Sequence, residues 1–66
     1  MKALRRYMER RRLSQEAFAS RIGVTQSMVS QWLTGKRPVS AKSARAIERV
    51  TEGEITRAKI RADLFA

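Results

Sequence analysis

The sequence predicts a single all-α domain over residues 1–66, and three observations support this fold class. Apolar residues recur at helical spacing in four successive segments. The second, third and fourth segments each begin behind a Ser or Thr, the residues preferred as N-caps, and each is followed by a Gly. Sustained strand-like alternation is missing, apart from a few residues around Ile55. We therefore expect a compact bundle of four to five helices.

The first predicted helix covers residues 2–12. Leu4, Tyr7 and Met8 fall at spacings of three and four residues, so they form its buried face. Arginines occupy much of the remaining surface and end in the run 10–12. This run has three readings that stay open: a solvated surface, a set of phosphate contacts, or positive charge placed favourably at the helix C-terminus.

The second predicted helix covers residues 15–22 and begins behind Ser14, which is a good N-cap. Gly23 ends it, because Gly adopts the left-handed conformation of a helix C-cap at the lowest cost. The side chains predicted to be buried are those of Phe18, Ala19 and Ile22.

The third predicted helix covers residues 26–33, between the N-cap Thr25 and the terminating Gly35. Trp32 could stack on a base, but its spacing from the neighbouring apolar residues favours a core position. The predicted inward side consists of Met28, Val29, Trp32 and Leu33.

The fourth predicted helix covers residues 41–51, begins behind Ser40, and is broken by Gly53. Its predicted buried residues are Ala44, Ile47 and Val50. The tail allows a short fifth helix behind Thr56, with anchors at Ile55, Ile60, Leu64 and Phe65. Leu64 and Phe65 have two open roles, closure of the core or contact with a second copy.

The charge of the chain indicates an anionic partner. Fifteen Lys and Arg against six Asp and Glu give a formal net charge of +9. In so small a domain this favours nucleic acid, although a basic surface kept for solubility or for binding acidic proteins is the alternative. Cys and His are both missing from the sequence, which excludes the usual zinc sites and a Cys–His nucleophile pair. We expect no enzyme activity, no metal and no cofactor.

The N-terminal residues 1–12 carry charges where a signal peptide or membrane span would need an apolar run. The sequence thus predicts a soluble cytoplasmic protein without membrane contact. A cationic membrane-surface helix is a further alternative for this segment alone, but the capped helices that follow indicate a globular domain.

The second and third predicted helices, joined by about three residues at Gly23, have the spacing of a helix-turn-helix. In that motif the N-terminal part of the second helix reads base edges in the major groove. Helical spacing from Gln26 puts three uncharged hydrogen-bonding side chains on the outward face, namely Ser27, Ser30 and Gln31. Gln donates and accepts at once, which suits adenine, whereas Lys36 and Arg37 are placed for the phosphate backbone. The alternative is that Gln26 and Gln31 are ordinary solvated residues.

The stretch "LSQEAFASRIGVTQSMVSQWLTGKRP" resembles the helix-turn-helix of the lambda-repressor/Cro (Xre-like) superfamily. The stretch "VSQWLTGKRPVSAKSARAIERVTEGEITRAKIRADLF" is more narrowly similar to its small phage Cro and YdaS/DicC-type branch. Ala62 departs from that branch, which has Pro at this place in its C-terminal ending. The arginine-rich entry also departs from the branch.

This resemblance implies a lambda-repressor-like fold and roles for individual residues. By it, Gln15 holds a phosphate and supports Gln26, and Lys36 contacts the backbone. The residues that it turns towards the major groove are Thr25, Gln26, Ser27 and Gln31. It further implies a homodimeric transcriptional repressor that binds paired half-sites on double-stranded DNA, often in its own operon.

Two other functions remain open from the sequence. One is an antitoxin or regulatory role in a toxin operon, with the same DNA chemistry and an additional toxin or other protein partner. The other is a protein-interaction module whose helix-turn-helix no longer reads DNA. The polar outward face disfavours the interaction module, because such a surface usually exposes apolar residues.

Overall fold

Five helices build the protein in a computed structural model that describes residues 1–65. No residue in this range lies in a β-strand, so the predicted all-α class is confirmed. None of the helices in the same range is long and apolar enough to cross a membrane. The helices are α1, Lys2–Arg11; α2, Gln15–Ile22; α3, Gln26–Thr34; α4, Ala41–Val50; and α5, Arg57–Ile60.

Hydroxyl side chains cap the N-termini of α2, α3, α4 and α5, as the sequence predicts. Each hydroxyl oxygen accepts a hydrogen bond from a backbone N–H three residues later, at 3.0–3.3 Å. A cap of this kind contributes about 1 kcal/mol, because it satisfies an N–H that has no partner within the helix. The pairs are Ser14 with Ala17, Thr25 with Met28, Ser40 with Ser43, and Thr56 with Lys59.

The ends of three helices differ by one residue from the predicted bounds. Arg12 is the C-cap of α1, because its φ of 53° places it in the left-handed region. Thr34 extends α3 by one residue, up to Gly35. Thr51 lies outside α4, where its Oγ1 donates to the carbonyl oxygen of Ile47 at 2.8 Å and accepts from the N–H of Ile55 at 3.2 Å. These bonds join the end of α4 to the following turn.

The core lies where α1 to α4 meet, and Trp32 is buried in it as predicted. The rings of Tyr7 and Phe18 meet edge to face at 6.2 Å between centroids. Ile22 and Val50 were predicted to be buried but are only half-buried. The buried apolar residues are Leu4, Tyr7, Met8, Phe18, Ala19, Val29, Trp32, Leu33, Val39, Ala44, Ile47 and Ile55.

One of the anchors predicted in the C-terminal tail is wrong. Phe65 is half-buried against the core, but Leu64 is 50% exposed and is not an anchor. Consecutive residues of a turn project in different directions, so only one of the two side chains can face inward. Phe65 therefore fits the closure role, while contact of Leu64 with a second copy stays a prediction.

Candidate nucleic-acid interface

Helices α2 and α3 form the predicted helix-turn-helix, with three residues between them. Gly23 takes φ 85°, a left-handed conformation that favours Gly. The N–H groups of Gly23 and Val24 both donate to the carbonyl oxygen of Ala19, at 2.9 and 3.0 Å. This pair of bonds closes α2 and turns the chain directly into the Thr25 cap of α3.

The first turns of α3 present polar side chains away from the core. Gln26 and Ser27 are exposed, and Ser30 and Gln31 are half-buried one turn later. Val29 and Trp32 are fully buried on the opposite side of the helix. A buried apolar side thus fixes the orientation of α3 and leaves amide and hydroxyl groups free to face a ligand.

Thr25 combines a structural bond with a possible ligand contact. Its Oγ1 accepts from the N–H of Met28 at 3.2 Å. The hydroxyl still has its own hydrogen to donate, and a phosphate or base oxygen can accept it. The predicted roles of Thr25 as a helix cap and as a contact residue are therefore compatible.

Lys36 and Arg37 follow the C-terminus of α3 and are both exposed. Their backbone N–H groups donate to the carbonyl oxygen of Gln31, at 2.9 and 3.3 Å. Gly35 makes this turn possible with a φ of 78°. The turn fixes where two cationic side chains leave the backbone, and neither is in an ion pair within residues 1–65.

Gln15 is the first residue of α2 and lies beside two arginines. Arg12 belongs to the run for which phosphate contact was one reading, whereas the sequence did not single out Arg5 as a contact. Gln15 shares a groove of about 300 Å³ with Arg5 and Arg12. Both arginines are exposed and lack a carboxylate partner among the described residues. Glu9 also lines the groove, but the two arginines outnumber it, so the groove carries a net positive charge at the place where the resemblance puts a phosphate.

The arginine run 10–12 divides into two groups in the structure. Arg10 and Arg11 both form ion pairs with Glu54, and the Arg11 guanidinium also lies 5.1 Å from the centre of the Tyr7 ring. Arg12 has no such partner among residues 1–65. The sequence could not separate these residues, because Glu54 lies more than 40 positions away along the chain.

The described residues do not form a metal site: within 1–65, no three His, Cys, Asp or Glu side chains cluster closely enough to hold an ion. Two acidic groups that lie near the tail are engaged in other contacts. Asp63 pairs with Arg61 at 2.7 Å, and Glu48 accepts a hydrogen bond from the backbone N–H of Arg57 at 2.6 Å. Within the helix-turn-helix, the acidic residue of α2 is Glu16.

Comparisons with known proteins give one family and one relative. The family described as "Bacterial toxin YdaS" matches residues 13–66. YdaS of Escherichia coli (strain K12), named as a candidate transcriptional regulator, is 40% identical over 50 residues, which is 76% of this chain. The chain spans about half (51%) of the length of that relative. No solved structure matches the chain significantly. Both matches support the YdaS side of the resemblance, and the Cro side stays a prediction.

Proposed function

The chain belongs to the family described as bacterial toxin YdaS, and from this premise we propose that it is a sequence-specific DNA-binding transcriptional regulator. In this proposal α3 is the recognition helix, and its polar side chains read base edges in the major groove. The protein acts as a homodimeric repressor of the Cro type in the cytoplasm, on paired operator half-sites. The name of the Escherichia coli relative agrees with a regulatory role.

One observation carries the proposal: uncharged polar side chains on α3 are flanked by cations that have no ion-pair partner among the described residues. Gln26 and Ser27 are exposed in the first turn of α3, and Lys36 and Arg37 are exposed just beyond its end. Protein–DNA interfaces divide the work in this way, because phosphate contacts position a protein and base contacts specify the sequence. A surface that binds polyanions without sequence preference needs cations only, so the uncharged polar side chains of α3 support base reading.

The contact residues of the proposal fall into two groups by their chemistry. The group that faces the major groove is Thr25, Gln26, Ser27, Ser30 and Gln31. The phosphate-contacting group is Gln15, Lys36 and Arg37, to which we add Arg12 for its place beside Gln15.

Selection of binding sites from randomised DNA duplexes tests this function. We expect a consensus composed of two half-sites with centres about 10 base pairs apart, if the protein binds as a two-fold dimer. Binding that enriches no sequence would reject sequence-specific regulation and leave only general affinity for polyanions.

The description of the family as a toxin favours a second candidate, a regulatory component of a toxin–antitoxin operon. The DNA chemistry would be the same, and a protein partner would be added. The two candidates are distinguished by the growth of a bacterial host in which this protein is expressed, first alone and then together with the products of the neighbouring genes. Growth arrest that a neighbouring gene relieves would support the second candidate.

A further inference from the structure

We propose that the groove between α4 and the turn of the helix-turn-helix is a docking site for an acidic, amphipathic segment of a partner protein. The groove has a volume of about 360 Å³ and lies between the end of α2 and one side of α4. It is separate from the α3 side chains assigned to DNA reading, and the inference does not depend on the proposed function.

One side of the groove, formed by the end of α2 and the turn after it, is apolar. Ile22 and Val24, on either side of Gly23, line it and are half-buried, as is Ala46 among the basic residues of α4. Ile22 and Val24 pack against the core from its edge, so part of their apolar surface remains in contact with water. Covering that surface with an aliphatic side chain of a partner would stabilise a complex.

The other side of the groove is basic. Lys42, Arg45 and Arg49 are exposed on α4 at spacings of three and four residues, and all three line the groove. They form a stripe about 10 Å long, given the rise of an α-helix. None of them has an ion-pair partner within the described residues. The Arg45 guanidinium also lies 5.4 Å from the centre of the Phe65 ring, which holds one charge of the stripe in place.

Charge complementarity identifies the occupant. Three cations and no carboxylate line the groove, so a partner with several carboxylates fits it. A second copy of this chain fits poorly, because it carries a net charge of +9 and three of its six carboxylates, those of Glu48, Glu54 and Asp63, are already engaged. Phosphates of DNA would use the cations but not the apolar side. An acidic segment that also carries aliphatic side chains uses both.

Two labelled 12-residue peptides test the proposal by fluorescence anisotropy at physiological salt. The first places Leu and Glu on opposite faces of a helix, and the second replaces every Leu by Ser at the same charge. A double variant, Lys42→Gln with Arg49→Gln, removes two cations of the groove. Its matched control, Lys2→Gln with Arg6→Gln, removes two exposed cations of α1. Thermal melting of both variants checks whether these surface substitutions leave the fold intact.

We expect the Leu-bearing peptide to bind more tightly than the Ser-bearing one. The groove variant should weaken that binding about fivefold, the effect of removing two exposed ion pairs, and the α1 control should change it less than about twofold. Equal binding of the two peptides, no saturable binding of either, or equal weakening in the two variants would overturn the proposal. So would a groove variant that loses affinity for duplex DNA but not for the peptide, because the cations would then serve the DNA backbone.

Discussion

The guanidinium of Arg61 donates a hydrogen bond of 2.7 Å to the carbonyl oxygen of Val39, 22 residues earlier in the chain. Val39 is buried in the loop between α3 and α4, so this bond ties the C-terminal tail to the segment that follows the recognition helix. The same guanidinium donates two further bonds to Asp63, at 2.9 and 2.7 Å. One side chain thereby holds both the tail and the loop.

Replacement of Arg61 by Ala should destabilise the protein more than replacement of Asp63 by Ala. Only Arg61→Ala leaves the Val39 carbonyl without its donor, whereas an exposed ion pair contributes little by itself. Midpoints of urea unfolding measure the difference, with Arg49→Ala as the control, since Arg49 has no described ion-pair partner. Equal midpoints for Arg61→Ala and Asp63→Ala would mean that the Val39 bond does not stabilise the fold.

The Arg61–Asp63 pair also predicts a pH dependence of the tail. Hydrogen bonds from Arg61 hold the pKa of the Asp63 carboxyl below its ordinary value, and the same pair raises the pKa of Arg61. A lowered carboxyl pKa in the folded state means that Asp63 stabilises the fold above the unfolded pKa of about 4, and that this contribution is lost as the pH falls through the lower, native pKa. The tail should therefore loosen only in acid.

Cleavage of the tail by an acid-active protease, followed from neutral pH down to pH values below the native pKa, measures this effect. In the wild type the cleavage rate should rise at low pH, after correction for the activity of the protease on an unstructured peptide. Asp63→Asn should be cleaved faster than the wild type near neutral pH, should change less with pH, and should approach the wild-type rate once Asp63 is protonated. If the wild-type cleavage rate already rises at pH values well above the ordinary pKa of aspartate, a group other than Asp63 causes the change.

Trp32 combines deep burial with an unpaired polar atom. Its side chain is 2% exposed, and its indole Nε1 has no hydrogen-bond partner among the described residues. Trp32→Ala should cost about 3–5 kcal/mol, which would unfold so small a domain or leave it molten. Trp32→Phe should cost less than Trp32→Ala, because it leaves a smaller cavity and removes the unpaired N–H.

Chemical denaturation of the Trp32 variants, followed by far-UV circular dichroism, gives both free energies of unfolding. A Phe variant as unstable as the Ala variant would indicate that the N–H has a partner after all, such as a bound water. Normal unfolding of the Ala variant together with an absence of DNA binding would instead make Trp32 a contact residue.

Lys36 should contribute to DNA binding through the phosphate backbone alone. Lys36→Ala is expected to weaken specific and non-specific binding alike and to flatten the plot of log K against log[salt] by about one unit, the value for one phosphate that a cation neutralises. Lys59→Ala is the matched control, because Lys59 is an exposed lysine of α5. An unchanged slope for Lys36→Ala, or the same change in both variants, would remove Lys36 from the phosphate-contacting group.

Gln26 should read one base pair in each half-site. A bidentate amide–adenine pair is worth about 1–3 kcal/mol of discrimination, so Gln26→Ala should relax the consensus at one position and change non-specific binding little. Selection on randomised duplexes with wild type, Gln26→Ala and Gln31→Ala side by side identifies the position that each amide reads. The same consensus with the same information content for wild type and Gln26→Ala would show that Gln26 reads nothing.

The sequence by itself determined the helices and their order, because the signals involved are local. A capping hydroxyl bonds an N–H three residues away, and Gly23 and Gly35 take left-handed conformations within a single turn. The inward and outward sides of α3 follow from helical spacing in the same way. The outward polar face of α3 could therefore be predicted from the order of the residues, although its role in binding is still a prediction.

Tertiary structure alone decided which charged and apolar side chains are already engaged. Glu54 pairs with Arg10 and Arg11 but not with Arg12, although the three arginines are consecutive in the sequence. Phe65 is half-buried, and its neighbour Leu64 is exposed. These outcomes depend on contacts between residues far apart in the chain, which local spacing cannot specify, because several partners of the same chemistry are available until the helices pack.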